Sequence, residues 1–299
     1  MKILVSGKNS QIGKELSNLI LNSAHDFMFT SSKTMNLFEK KNIEQIIREY
    51  NPDIIVNLSA YTKVDLSEDN KEDAYLVNAE APKIIAKIAS EINALLIHIS
   101  TDYVFGKDEE GPFRSNSKPN PINYYGFSKL EGEKAIINSK CRFIIIRTSS
   151  VFSTFGRNFV KTITKNFLSN QGVKVVKDQM ISMTYAGDLA NVIRSLIDRN
   201  DQSFLNKNNE SMIIHYTNLG YTNWYEVADL IFRNLKQTRA FNSDLIPINL
   251  SDWPSRAKRP IDSRLSLDYD LLDSLNIKLY NWHERVSTVL DTLYESGNN

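Results

Sequence analysis

Two tyrosine–lysine pairs, each four residues apart, stand out in this 299-residue chain: Tyr103 with Lys107, and Tyr125 with Lys129. With 13 tyrosines one such match is expected by chance, so context must separate them. Gly106 interrupts any helix before Lys107. Tyr125 instead opens Tyr-Gly-Phe-Ser-Lys-Leu-Glu-Gly-Glu-Lys-Ala, which can run as a helix with both side chains on one face. A free phenol has a pKa of about 10 and is a poor acid at neutral pH. An ammonium beside it favours the phenolate and lowers that value. In that arrangement Tyr125 hands a proton to a carbonyl oxygen as a hydride reaches the carbon. Thr101, at the end of the preceding apolar run, polarises the same oxygen. Lys129 is also placed to hold a cofactor ribose.

A second motif supplies the cofactor. Gly7-Lys-Asn-Ser-Gln-Ile-Gly13 lies between the first apolar run and the first helical stretch. Such a strand-to-helix turn lets backbone approach a pyrophosphate and sets a helix N-terminus beneath it. Ser10 stands at the middle position, where a third glycine is expected. NAD sites often carry an acid at the end of the second strand for the ribose 2′-hydroxyl. Here Thr30-Ser-Ser-Lys33 offers hydroxyls and a lysine, which suit a 2′-phosphate. NADPH is the expected cofactor, with NADH also compatible.

The elements that must position these residues follow from periodicity. Short apolar runs at residues 3–5, 27–29, 54–56, 95–99 and 143–146 alternate with segments of helical spacing. This predicts an α/β fold of the Rossmann type, a doubly wound parallel sheet with helices on both faces. The runs are continuous rather than alternating, as strands covered on both sides require. After residue 150 the rhythm loosens. We expect a dinucleotide-binding domain over 1–150 and a smaller, interleaved, mainly substrate-binding region over 151–299. Residues 173–198 are expected to return to the main sheet. Asn223-Trp-Tyr-Glu226 reads as a cap opening a helix through Leu235. Residues 247–260, with three of the eight prolines, read as irregular loop.

Composition narrows the function classes. Lysines and arginines number 36 against 35 acids, so there is no basic excess of the kind nucleic-acid binding uses. No apolar run approaches the ~20 residues that span a bilayer. The opening Met-Lys-Ile-Leu-Val-Ser-Gly reaches a glycine turn too soon for a signal-peptide core, so a cytoplasmic protein is expected. The single cysteine, Cys141, excludes an internal disulfide or a multi-cysteine metal site. His25, His98, His215 and His283 have no ligand spacing, and no metal is expected. A homodimer is left open.

Taken together these residues resemble the extended short-chain dehydrogenase/reductases, and most closely the dTDP-4-dehydrorhamnose reductase family. The likeness runs from Lys2 to about Trp282. It is carried by Ser100-Thr-Asp-Tyr-Val-Phe105, Tyr124-Tyr-Gly-Phe-Ser-Lys129 with Gly132-Glu133, and Arg147-Thr-Ser149. Later come Asp178-Gln179, Asn223-Trp-Tyr-Glu226, Arg256-Ala-Lys-Arg-Pro260 and Ser263-Arg-Leu265. The resemblance implies reduction of the 4-keto group of a nucleotide-linked 6-deoxysugar. It implies Tyr125 as proton donor, Lys129 as its partner and ribose ligand, and Thr101 as the assisting hydroxyl. Gly7, Ser10, Gln11, Ile12 and Gly13 then cradle the pyrophosphate. Asn36 and Leu37 fall beside the adenine, Ser59, Ala60 and Thr62 along the cofactor, and Tyr103 at a substrate contact.

The chain also departs from the family. Ser150 replaces a tryptophan that packs on the sugar. Asp178-Gln-Met-Ile-Ser-Met-Thr184 lacks the family's Gly and Pro, and Asp262 stands where Asn is usual. The related dehydratases place an Asp-Glu pair after the threonine, whereas here Asp102 is followed by Tyr103. Epimerase-reductases of the GDP-fucose type add a cysteine and a histidine, and Cys141 lies outside the motifs. A non-catalytic dinucleotide-binding regulatory subunit is the alternative from another class; retention of Thr101, Tyr125 and Lys129 favours the enzyme.

Overall fold

The computed structural model describes residues 1–106, 109–199 and 211–296. Its centre is a six-stranded parallel sheet ordered Met212–His215, Arg142–Thr148, Leu95–Thr101, Ile54–Asn57, Lys2–Ser6, Asp26–Thr30. The five predicted apolar runs are five of these strands. Why they are continuous is visible in the packing. Ile3, Val5, Ile54, Val56, Ile97, Ile144 and Ile146 face a core shared with the helices Gln11–Leu19 and Ala186–Arg199. Their neighbours Leu4, Ile55, Leu96 and Ile145 face the opposite core, under Lys40–Tyr50 and Ala81–Glu91. Successive strand residues point to opposite faces, and here both faces are covered.

Strand order reverses beside Lys2–Ser6. The chain passes first to Asp26–Thr30 on one side and then to Ile54–Asn57 on the other. Such a switch point opens a crevice at the carboxyl ends of the strands, where ligands of open α/β sheets sit.

The second core gathers Phe152, Val160, Ile163, Phe167, Ile181, Val227, Ile231 and Val286 from the later half of the chain. One expectation needs correction here. Val173–Val176 does not return to the main sheet; it pairs in parallel with Leu245–Ile248 and sends Val173 and Val175 into this second core. What returns is the helix Ala186–Arg199 and, after it, the edge strand Met212–His215. The reading of residues 247–260 as loop is likewise corrected at its start, because Pro247 belongs to the Leu245–Ile248 strand. A proline is tolerated there because the strand lies at the edge of a two-stranded sheet.

Two helices carry the site. Tyr124–Ile137 is capped by Asn123, whose side chain accepts from the Gly126 amide at 2.8 Å. Its first turn docks so closely that a Cβ at Gly126 would stand 1.9 Å from the Tyr103 carbonyl oxygen. That contact fixes Tyr125 beside the turn that follows the Leu95–Thr101 strand. The expected cap at Asn223 also forms, accepting from the Glu226 amide at 2.9 Å, and the helix runs Trp224–Thr238. The Glu226 carboxylate takes the Thr222 hydroxyl at 2.8 Å.

Candidate active site

At the carboxyl ends of the strands a cleft of about 540 Å³ opens over the switch point. Thr101, Tyr125 and Lys129 line it together with Ser10, Gln11, Ile12, Ala60, Thr62, Tyr103 and Ser150. The glycine turn, the loops after several strands and the Tyr124–Ile137 helix thus bring these sequence-predicted residues to one place. Lys107 of the other tyrosine–lysine match lies outside the described residues.

Thr101 ends its strand. Its hydroxyl accepts from the Tyr103 amide at 3.2 Å and donates to Asp102 Oδ1 at 3.0 Å. The Ser149 hydroxyl donates to Asp102 Oδ2 at 2.8 Å. Burial pushes the Asp102 carboxyl up to about 6, against the hydroxyls of Ser263, Ser149 and Thr101, which favour the charged form.

The Tyr125 ring meets Tyr103 edge-on, with centroids 5.8 Å apart. It keeps part of its surface open to the cleft. The cleft walls nevertheless push its phenol upward by desolvation, and the Asp102 charge reinforces this. The Lys129 charge, expected to lower the phenol, is not among the groups that shift it here. Lys129 is buried and directs Nζ to the Ile99 carbonyl at 2.7 Å and to His98 Nε2 at 3.2 Å. Burial lowers its pKa to about 8, while the Glu133 carboxylate pulls it back up. Glu133 is itself held by a bidentate bond from Arg147, at 2.9 and 2.6 Å, and by Ser100 at 2.5 Å. Behind Lys129, His98 is fully buried, and desolvation followed by the Lys129 charge hold it neutral. Asn57 reaches its Nδ1 at 3.0 Å and takes the Ser6 hydroxyl at 2.6 Å.

The glycine turn has the shape a pyrophosphate needs. Gly7 has φ +83°, where an L side chain is strained, and a Cβ at Gly13 would stand 2.3 Å from the Gly7 carbonyl oxygen. Ser10 lines the cleft and also caps the helix, its hydroxyl accepting from the Gly13 amide at 3.0 Å. The free amide ends of this helix face the cleft through Gln11 and Ile12. These features fit a dinucleotide. Gln11 also ties the turn to the second half of the chain, donating to the Val151 carbonyl at 3.1 Å and accepting from Asn158 at 2.8 Å. Ser59 sits beside Gly7, 3.1 Å from where a Cβ there would be. Asn36 and Leu37 lie apart from the cleft lining. Asn36 closes a turn with Phe38 and Glu39, and Leu37 packs against the second-face core.

Several residues of the site escaped the sequence reading. Asp102 was legible only as an acid beside the threonine. Arg259 lies in the irregular segment after the Leu245–Ile248 strand; it donates to the Tyr103 hydroxyl at 3.2 Å and to Asp65 at 2.9 Å. Trp224 donates to Gln179 at 3.0 Å and lies 4.6 Å from the Phe159 ring. It lines both this cleft and an adjoining one of about 1090 Å³, shared with Arg157, Arg259 and Trp253. Ser150 lies at the cleft with φ +45°. Among the described residues no cluster of three metal-ligating side chains occurs, and no helix is long and apolar enough to cross a membrane.

A parallel sheet, a glycine turn under a helix N-terminus, and a hydroxyl, phenol and amine on one cleft define an NAD(P)H-dependent oxidoreductase of the extended short-chain type. The family model described as the RmlD substrate binding domain matches residues 1–295. A dTDP-4-dehydrorhamnose reductase of Escherichia coli K12 is 33% identical, with 98% of each chain covered. One from Sinorhizobium fredii is 31% identical over 99% of each. A solved dTDP-4-dehydrorhamnose reductase from Bacillus anthracis, in complex with NADP, superposes with TM-score 0.87 at 28% identity, covering 97% of this chain and 99% of that one. The chain belongs to the dTDP-4-dehydrorhamnose reductase family.

Proposed function

We propose that this protein reduces the 4-keto group of a nucleotide-linked 6-deoxysugar, with dTDP-4-dehydrorhamnose the first substrate to test and NADPH the preferred reductant. The convergence of Thr101, Tyr125 and Lys129 on the cleft above the Gly7–Gly13 turn carries this reading. The printed names of the relatives, and NADP in the Bacillus anthracis structure, support the substrate and cofactor class.

A reduced dinucleotide held by its pyrophosphate at the turn would supply the hydride. Gly7, Gln11, Ile12 and Gly13 hold the pyrophosphate, Ser59, Ala60 and Thr62 run along the dinucleotide, and Ser31 to Lys33 meet a 2′-phosphate. Lys129, whose Nζ meets His98 and the Ile99 carbonyl, would hold the ribose. Tyr125 donates its phenolic proton to the keto oxygen. A Lys129 ammonium brought closer to the phenol would oppose the desolvation that raises it. Tyr103 and Ser150 face the sugar, and Trp224 and Arg259 face the nucleotide end. A cytoplasmic site of action accords with a biosynthetic reduction.

No observation favours the regulatory-subunit alternative, since the three reactive side chains are retained and brought together. The test is NADPH consumption with a panel of nucleotide-linked 4-keto-6-deoxysugars.

A further inference from the structure

A hydroxyl has one proton, and Thr101 has committed it. Its Oγ1 donates to Asp102 Oδ1 at 3.0 Å and accepts from the Tyr103 amide at 3.2 Å. Toward the cleft and Tyr125 it therefore presents a lone pair, as an acceptor. A keto oxygen needs a donor there. Thr101 turns its proton into the cleft only when the carboxyl group stops accepting and donates instead. The surroundings allow this. Asp102 is 4% exposed, and its second oxygen is satisfied by Ser149 at 2.8 Å. Ser263 brings a further hydroxyl to it without a well-formed hydrogen bond.

We propose that Asp102 is a positioning residue that sets the direction of the Thr101 hydroxyl. As a carboxylate it holds the Thr101 proton away from the cleft; as a carboxylic acid it donates to Thr101 and turns that proton toward the substrate oxygen. The inference rests on the reading of this cleft as a ketone-reducing site. The push on Asp102 up to about 6 by burial places the acid form within reach at working pH.

Other ionisable groups stand around Asp102. Tyr103 follows it in the same turn, with Arg259 on its hydroxyl. Tyr125, Lys129 and Glu133 come from the Tyr124–Ile137 helix, His98 from the strand that Thr101 ends, and Arg147 is paired with Glu133 at 2.6 Å. Asp262 and Arg264, flanking Ser263, pair with each other at 2.6 Å. Lys129 is the group whose titration most resembles the one proposed, so the test must separate it from Asp102.

Asp102→Asn does so, because the amide is neutral, isosteric and able to donate to Thr101 permanently. We expect wild-type kcat to fall by about tenfold per pH unit above the Asp102 ionisation. The ratio of Asp102→Asn to wild-type kcat should climb over the same range, and in a Thr101→Val background the Asn substitution should leave the profile unmoved. A variant profile parallel to wild type, or the same change without the threonine hydroxyl, overturns the proposal. A second readout needs no turnover. In ¹³C-carboxyl spectra Asp102, assigned by its loss in Asp102→Asn, should titrate about one pH unit higher in Thr101→Val, because the donor to its charged form is gone. No shift refutes the coupling. A shift in a protein that reduces none of the 4-keto sugars upholds the coupling and defeats the functional reading instead.

Discussion

Burial keeps the Tyr125 phenol protonated, so it carries the proton the reduction asks for, but it also makes that proton harder to give, which leaves a nearby Lys129 charge the task of easing its release. Tyr125→Phe keeps the ring against Tyr103 and removes that proton, so turnover should fall by about 10²–10⁴-fold while cofactor affinity holds. Near-wild-type kcat would show that the proton comes from elsewhere. Ser150 belongs to the same scale. Where the family places an indole, this chain has a small hydroxyl at the cleft. Ser150→Trp should shift discrimination between nucleotide sugars by about 1–3 kcal/mol in relative kcat/KM, with NADPH binding unmoved. Equal effects on every sugar would take Ser150 out of the substrate site. The sequence revealed Tyr125, Lys129 and Thr101 because their spacing is chemical. It concealed the Lys129–His98 contact and the commitment of Thr101 to Asp102, which depend on where neighbouring side chains turn.

Elements matter here through close approach. The helix bearing Tyr125 and Lys129 is set by backbone contact at Gly126, where a Cβ would stand 1.9 Å from the Tyr103 carbonyl oxygen. Gly126→Ala should therefore push the helix outward, at a cost of about 1–3 kcal/mol in thermal or urea unfolding, with kcat reduced as Tyr125 moves. Wild-type stability in that variant would mean the contact is easily relieved. The strands of the sheet were legible because burial on both faces leaves a continuous apolar run. The same signal misled at residues 173–176. That segment is equally short and mostly apolar, but Lys174 interrupts it and is exposed, and its partner is the proline-containing Leu245–Ile248 strand. Local pattern specifies a buried strand without saying which sheet buries it.

Across the whole molecule, two buried neutral histidines tie stability to pH. His215 makes a 3.1 Å contact through Nδ1 to the Phe113 carbonyl, leaves Nε2 without a partner, and is lowered to about 4 by burial and then by the Arg147 charge. Unfolded, it takes a proton near 6.5. Between the two values the unfolded chain binds more protons, so stability falls as pH drops from 6.5 toward 4. For His215 the full loss is about 3 kcal/mol, and His98 adds to it in the same direction. Asp102 opposes them, since its raised value favours the folded state at the acid end of that window. Urea unfolding from pH 7 to 4.5 should show a net loss, diminished in His215→Gln. Stability that is flat across this range would contradict the burial of both rings as neutral groups.

The central claim is that the cleft reduces a nucleotide-linked 4-keto sugar. It is tested most directly by following NADPH absorbance with purified protein and dTDP-4-dehydrorhamnose, alongside other nucleotide-linked 4-keto-6-deoxysugars, in wild type and Tyr125→Phe. The account predicts oxidation of NADPH matched by a 4-hydroxy sugar product for at least one of them, and its near-abolition in the variant. NADPH binding with no reduction of any of these sugars would contradict it.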